Sequence, residues 1–412
     1  MKLLNYVIDI FLIGYSLYFL AFVLFGLFTR KYNDFKKPEK KFAVIVPAHN
    51  EEKVISKLIN NLYKLDYPKK LYDIFVIADN CQDKTAEIAR KYHANVLERT
   101  NKLQKSKGYA LKFALQKLGF TTGNSEYDAA AIFDADNLVQ RNFLHVMNNR
   151  LLKDEKIIQA YVDAKNPADN WVTATFAMMF WINDRFNLLS RYNIGLSAVL
   201  MGTGMCISAD TLEKTGWDTS TLTEDLEYSV QALFKGIKTS FARETKIFDE
   251  KPLSFRASCR QRLRWGRGQL SVAFKYVPGL LYQGFKRKNL AMLDSGFRLF
   301  QQPFIMFYAV MTLLRLSFPG IFYSPFFNIV LKNIKPMAVV MPVMPYLLPT
   351  SVFLLDKLSF KSFKYIIFFP LFMYSWVIIL YWALLTLNEK HWLPTTHSRS
   401  LSREDLLKDT GI

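Results

Sequence analysis

The stretch Ala129-Ala130-Ala131-Ile132-Phe133-Asp134-Ala135-Asp136-Asn137 runs from an uninterrupted apolar segment straight into two carboxylates. A short apolar run without polar alternation predicts a strand buried on both faces. If the chain stays extended beyond it, residues two apart point the same way, so Asp134 and Asp136 would share a face. Two carboxylates on one face suit a divalent cation, which neutralises a departing diphosphate. Asp and Asn also favour turns and helix starts, and the pair alone does not separate these readings. Its place directly after a buried strand favours the cation.

Working outward, FAVIV (42–46) and IFVIA (74–78) are runs of the same kind. Between and after them, residues 51–65, 84–92 and 107–118 carry the spacing of helices. Alternating strands and helices predict an α/β fold, a parallel sheet covered on both faces. Ligands of such sheets bind beyond the carboxyl ends of the strands. The first strand runs there into Pro47, Ala48, His49, Asn50, Glu51 and Glu52, and the second into Asp79 and Asn80. All three strand ends are expected along one edge.

Further polar residues have a plain and a functional reading. Asp79 is a helix cap or a hydrogen-bond acceptor for a nucleobase. Lys107 is a solvated helix charge or a phosphate partner. Glu224 and Asp225 after Thr223 suit a helix N-terminus, and Asp225 also suits a general base. Over 254–275, Phe255, Cys259, Leu263, Gly266, Leu270 and Phe274 fall on one helical side, with Arg256, Arg260, Arg264 and Arg267 on another. That pattern predicts an amphipathic helix in a membrane interface. Gln261, Arg264 and Trp265 share a face there, where Trp offers a surface for a sugar ring and Arg offers donors for phosphate.

The two ends of the chain are apolar. Residues 10–28 carry no charge, and Arg30, Lys31, Lys36, Lys37, Lys40 and Lys41 follow. That bias predicts an anchor with its N-terminus outside and the chain cytoplasmic from residue 30. Residues 304–314, 336–355 and 365–385 are further candidate spans, and 320–331 a short one. The expected layout is a transmembrane helix at 1–30, a cytoplasmic domain at 41–253, interface helices at 254–299, a membrane region at 300–387 and a polar tail at 388–412. The tail, through residues 391–400, is expected on the cytoplasmic side. The location implied is the plasma membrane, in several passes.

The 412 residues carry a formal net charge of +19, with 51 % hydrophobic and 22 % charged residues. Long apolar segments assign that charge to the membrane surface, and no nucleic-acid module is evident. Cys81, Cys206 and Cys259 are far apart, and the histidines form no HxxxH pair. A disulfide framework or zinc site is not expected. Any metal is left to carboxylates, hence to a hard cation such as Mg²⁺ or Mn²⁺.

Taken in order, VIVPAHNEE (44–52), IADNCQDKT (77–85), KGYAL (107–111), FDADN (133–137), GTGMCIS (202–208), TEDLEYS (223–229) and QRLRW (261–265) resemble the membrane-bound branch of glycosyltransferase family 2. That branch includes cellulose, chitin, hyaluronan and poly-N-acetylglucosamine synthases and ceramide glucosyltransferases. The resemblance covers roughly residues 42–268. It implies a Rossmann-like glycosyltransferase-A domain with a parallel-rich sheet, plus transmembrane and interfacial helices.

The same resemblance implies roles. Pro47 and Glu51 contact the nucleoside of a UDP-sugar, and Asp79 its uracil. Lys107 lies near the diphosphate. Asp134 and Asp136 hold Mg²⁺ or Mn²⁺, with Asp134 also at the donor. Asp225 is the catalytic base, with Glu224 beside it in the motif. Gln261 and Arg264 hold the diphosphate and Trp265 the acceptor sugar. Residues 202–206, Gly204 and Cys206 among them, lie near the acceptor. Asp79-Asn80 departs from the paired acids usual after the second strand. The activity implied is inverting transfer from UDP-glucose or UDP-N-acetylglucosamine to a growing β-linked polysaccharide. The alternative is a single addition to a membrane lipid. A polymer path would be lined by Phe297, Phe300, Phe304, Phe307, Tyr308, Trp376, Tyr381 and Trp382, with Arg298, Gln301 and Gln302 near its entrance. A non-enzymatic sensor would not need the set Asp134, Asp136 and Asp225.

Overall fold

The computed structural model describes residues 2–29, 36–322, 324 and 343–389. The chain runs through α1 (Lys2–Gly26), β1 (Phe42–Ala48), α2 (Ile55–Leu62), β2 (Tyr72–Asp79), α3 (Thr85–Lys91), β3 (Asn95–Arg99), α4 (Lys107–Lys117), β4 (Ala129–Ile132), β5 (Leu138–Val139) and α5 (Phe143–Leu151). It continues through β6 (Ile157–Ala164), α6 (Trp171–Asn183), a π-helical segment (Asp184–Leu189), α7 (Ser190–Asn193), β7 (Met205–Ser208), α8 (Ala209–Thr215), α9 (Glu224–Phe234) and β8 (Thr239–Asp249). The 32-residue α10 (Phe255–Lys286), α11 (Leu290–Leu299), α12 (Gln301–Ser317), α13 (Met344–Leu355), a 3-10 segment (Phe360–Phe368) and α14 (Phe369–Leu385) follow.

Among the described residues eight strands form one sheet, ordered β3-β2-β1-β4-β7-β6-β8-β5. β1 pairs in parallel with β2 and β4, as their apolar runs predict. The sheet is mixed beyond them, because β7 runs antiparallel to both β4 and β6. Alternate residues feed two cores. Val44, Val46, Ile74 and Val76 face one side, Ala43, Ile45, Phe75 and Ile77 the other. Burial on both faces explains why these strands read as continuous apolar runs.

α1 and the helix Phe360–Leu385 are long and apolar enough to cross a bilayer. α11 and α12 would make a third span if counted together, bent by 46°. α1 is tied to the rest by polar contacts at three levels. Tyr18 and Arg191 both donate to the Asp294 carboxylate, Tyr15 donates to the Phe297 carbonyl, and Asp9 pairs with Arg315 at 2.6 Å. Three of the rings expected to line a polymer path meet α1. Phe304 stacks on Tyr15 with centroids 4.0 Å apart, and Phe300 and Phe307 meet Tyr15 and Phe11. They are helix-to-helix packing. The expected span 336–355 is described only from residue 343, and most of 320–331 and nearly all of the tail lie outside the described residues.

The helix Phe360–Leu385 is held by polar contacts at both ends. Before it, Asp356 accepts from Arg185 and from Arg243, the latter at 2.6 Å. After it, Thr386 and Glu389 accept from Arg267 of α10. Its outer face exposes Ile367, Leu371, Tyr374, Ile378, Trp382 and Leu385 at helical spacing. The Asp356 side chain is only 3 % exposed. Removing one partner of a buried ion pair strands the other charge, at a cost of about 3–5 kcal/mol. Asp356→Ala is therefore expected to lower stability by about that amount. A melting temperature within a degree of the parent would contradict the anchoring role.

Candidate active site

The site lies at the carboxyl ends of β2, β1 and β4. Asn50 and Asn80 stand just after β1 and β2 with φ of 57° and 52°, a left-handed conformation that Asn tolerates better than most residues. Their side chains then tie the loops together. The Asn50 amide oxygen accepts from the Gln82 N–H at 2.8 Å, and that of Asn80 from the Asn101 N–H at 2.8 Å. This accounts for Asn80 in place of a second acid. Its amide also donates to Asp79 at 3.1 Å.

Asp79 ends β2 directly opposite Arg99, which ends β3. Arg99 donates to the Asp79 carboxylate at 2.6 Å, and both are largely buried. The pair orients the Asp79 carboxylate at the sheet edge. Arg99 was not singled out from the sequence; its signal is the parallel register of an edge strand that local pattern does not reveal. Pro47 lies in β1, and the Glu51 N–H donates to the Thr85 hydroxyl at 2.8 Å, closing the first loop on the second.

Asp134 and Asp136 occupy a turn, closed by the Asn137 N–H on the Asp134 carbonyl at 3.1 Å. The extended geometry expected for them is thus corrected. Asn137 and Thr203 cap the turn by accepting from the Asp134 N–H, which stops the strand at Ile132. Asp134 pairs with Lys107. Asp136 is mostly buried and accepts from the Glu250 N–H at 3.3 Å. Lys165 donates to the Asp136 carbonyl. Asp249 ends β8 nearby. Burial raises its pKa, and the charges of Asp136 and Asp134 raise it further against the pull of Lys251.

Lys107 opens α4 behind a Ser106 cap. Its ammonium also donates to the Gly202 carbonyl at 2.7 Å. Burial would lower its pKa, but Asp134, Glu224 and Asp225 outweigh that and raise it. Gly202 has φ of 85°, and a methyl group there would sit 3.4 Å from an Asp225 carboxylate oxygen and 3.9 Å from the Lys107 ammonium. Gly202, Lys107 and Asp225 therefore converge on one point. Asp225 stands in the first turn of α9 beside Glu224. Burial pushes its pKa up to about 7, the Glu224 charge adds to that, and Lys107 opposes it. A carboxylate poised near neutrality is suited to accept a proton.

The helix carrying Gln261, Arg264 and Trp265 docks at Gly268, where a methyl group would come 2.5 Å from Thr223. Gln261, Arg264 and Gly268 share one helical face, so that contact turns Gln261 and Arg264 toward the start of α9. The Gln261 side-chain oxygen is buried without a hydrogen-bond partner. Trp265 stays partly exposed and rests on Phe176 and Phe180, with centroids 5.6 and 5.8 Å away. The rest of the helix is less amphipathic than expected. Arg262 is buried on the Phe372 ring, and Leu270 and Gly266 pack on α14.

Two expected acceptor residues do not line the cleft. Cys206 is 0 % exposed inside the sheet, between Ala131 of β4 and Ile158 of β6. Gly204 is buried too, with φ of 63° and Ile247 3.0 Å from where a side chain would begin. Neither has surface for an acceptor. The strand continuing from Gly202 turns inward because β7 must pair on both sides.

Among the described residues no three or more His, Cys, Asp or Glu side chains gather to hold a metal. Asp134 and Asp136 still fit a hard cation of the Mg²⁺ or Mn²⁺ kind. Such ions take one or two carboxylates and complete their shell with water and substrate phosphates.

Residues 38–268 match the family described as glycosyltransferase like family 2. A probable glycosyltransferase, YdaM, of Bacillus subtilis is 26 % identical over 310 residues, 71 % of this chain and 70 % of the relative. A beta-monoglucosyldiacylglycerol synthase of Trichormus variabilis is 30 % identical over 239 residues, 55 % of this chain. The match spans about half the length of that synthase, 48 %. Among solved structures, a mannosyltransferase of Pyrobaculum calidifontis in complex with GDP-Man and Mn²⁺ superposes with a TM-score of 0.52 at 16 % identity, over 76 % of this chain and 92 % of the other. That likeness establishes a glycosyltransferase-A-like fold.

Proposed function

The chain belongs to glycosyltransferase-like family 2, and from that premise we propose an inverting transferase that moves a sugar from a UDP-sugar to an acceptor hydroxyl at the cytoplasmic face of the plasma membrane. Asp225 carries this reading. It meets Lys107 and Gly202 at the strand ends with its pKa pushed up to about 7. In this reading Asp225 takes the hydroxyl proton as the acceptor oxygen attacks the anomeric carbon. The bond to the diphosphate breaks, UDP departs, and an α-linked donor gives a β-linked product. Asp79, oriented by Arg99, accepts from the uracil. Lys107 and Arg264 balance charge at the diphosphate. A divalent cation held by Asp134 and Asp136 supplies further charge neutralisation there. In the free enzyme, kcat/KM is expected to rise through about pH 7 as Asp225 loses its proton, since only the carboxylate accepts one. A rate flat from pH 5.5 to 8.5 would contradict that role.

The first acceptor reading is a growing β-linked polysaccharide. Trp265 supports it, because a partly exposed indole backed by two buried rings is a platform for a sugar. The second is a membrane lipid receiving one sugar, favoured by the packing of Phe300, Phe304 and Phe307 on α1. We place the catalytic domain in the cytoplasm behind α1, since Lys36, Lys37, Lys40 and Lys41 follow that helix. Both flanks of Phe360–Leu385 are held by polar contacts, Asp356 with Arg243 and Glu389 with Arg267, and we place its apolar outer face against the membrane hydrocarbon. Purified chain given UDP-glucose or UDP-N-acetylglucosamine and membrane lipid separates the acceptors by product mass. A ladder of oligomers supports the polysaccharide, and one sugar on one lipid supports the glycolipid.

A further inference from the structure

The strap Asp249-Glu250-Lys251 leaves β8 between the two halves of the cleft. On one side the Glu250 N–H donates to the Asp136 carboxylate at 3.3 Å. On the other, the Lys251 ammonium lies 3.4 Å from the Phe180 ring centroid and 5.8 Å from that of Phe176. These two rings back Trp265. The Lys251 side chain is 1 % exposed and pairs with Asp249 at 2.7 Å. Its backbone is clamped in both directions by Asn166, which accepts from the Lys251 N–H at 2.8 Å and donates to its carbonyl at 3.0 Å. A desolvated ammonium on a ring face makes a strong, directional contact, and burying one is costly without such partners.

We infer that Lys251 is a positioning residue that holds the Trp265 wall in register with the Asp134–Asp136 turn. The inference rests on the proposed transferase reading and adds to it a residue that touches neither donor nor acceptor. Lys251 acts through Phe180 and Phe176 on Trp265, and through the rigid strap on Asp136. Its removal should loosen the acceptor wall more than the donor site. Water would then compete with the acceptor for the sugar, so that UDP is released without transfer.

The test uses full-length purified chain, with Lys251→Met and Lys251→Arg beside the parent. The first readout is independent of activity. The protein is labelled with 5-fluorotryptophan, and the Trp265 line among the seven tryptophans is assigned with Trp265→Phe. Lys251→Met is expected to shift and broaden that line and leave most others in place. Lys251→Arg, which keeps a cation over the ring, should restore it. The second readout is sugar transferred per UDP released. It is expected to fall by up to roughly 100-fold in Lys251→Met, the cost of about 1 Å of misplacement by a change away from the reacting atoms, with UDP affinity within about twofold of the parent. If Lys251→Met does not fold, Asn166→Ala removes both hydrogen bonds that clamp the Lys251 backbone and should move the same line. An unmoved Trp265 line, or parental coupling in the variants, overturns the inference. A parent that transfers no sugar from any donor overturns the transferase reading instead, while the fluorine spectrum still decides the role of Lys251.

Discussion

Asp225→Asn is expected to cut transfer by roughly 10²–10⁴-fold, the usual worth of a positioned general base, while UDP binds nearly as before. The amide keeps the shape of the carboxylate and cannot take the proton. In the proposed reading Asp79 and Arg99 of β2 and β3 hold the uracil while Asp225 stands on α9, so base loss should leave most of the UDP affinity. Burial and Glu224 together raise the Asp225 pKa, and the variant should also lose the rise of rate through neutral pH. The checks are UDP release and product formation for rate, and calorimetry with UDP for binding. Turnover within tenfold of the parent would remove Asp225 from the base role.

Excess chelator is expected to bring transfer to background, and added Mg²⁺ or Mn²⁺ to restore it. Asp136→Asn should raise the metal concentration required by at least roughly 10–100-fold, the loss seen even when only a supporting partner of a metal ligand is removed. Asp136 is held from behind by the Glu250 N–H and by Asn137, so its replacement should leave the turn in place. Metal dependence of UDP binding, measured by calorimetry, checks this. Full activity in chelator would contradict it.

The part of the candidate site at the ends of β1, β2 and β4 was legible in the sequence. Buried strands read as apolar runs because both faces of β1, β2 and β4 are covered, and Asp79, Lys107 and Asp134 follow or open the elements that local pattern locates. The edge strand β3 did not stand out, since much of it is exposed, and with it went Arg99. Lys165, Asp249 and Lys251 come to the site through the pairing of β6 with β8, where Ala164 stands opposite Asp249. No local string encodes that register. Cys206 misled because residues next to a cleft motif in sequence can turn inward within two positions. The aromatics after residue 299 were ambiguous for another reason. Rings suited to stacking sugars are equally suited to packing one helix on another, as Phe304 does on Tyr15.

Inverting transfer of a sugar is proposed at the cleft formed by Asp225, Lys107 and the Asp134–Asp136 turn. The most direct measurement is proton NMR of the product made by the purified chain from an α-linked UDP-sugar with Mg²⁺ or Mn²⁺ and membrane lipid. A new β-glycosidic linkage is expected, absent when Asp225→Asn replaces the parent. An α-linked product, or no product from UDP-glucose and UDP-N-acetylglucosamine alike, would contradict it.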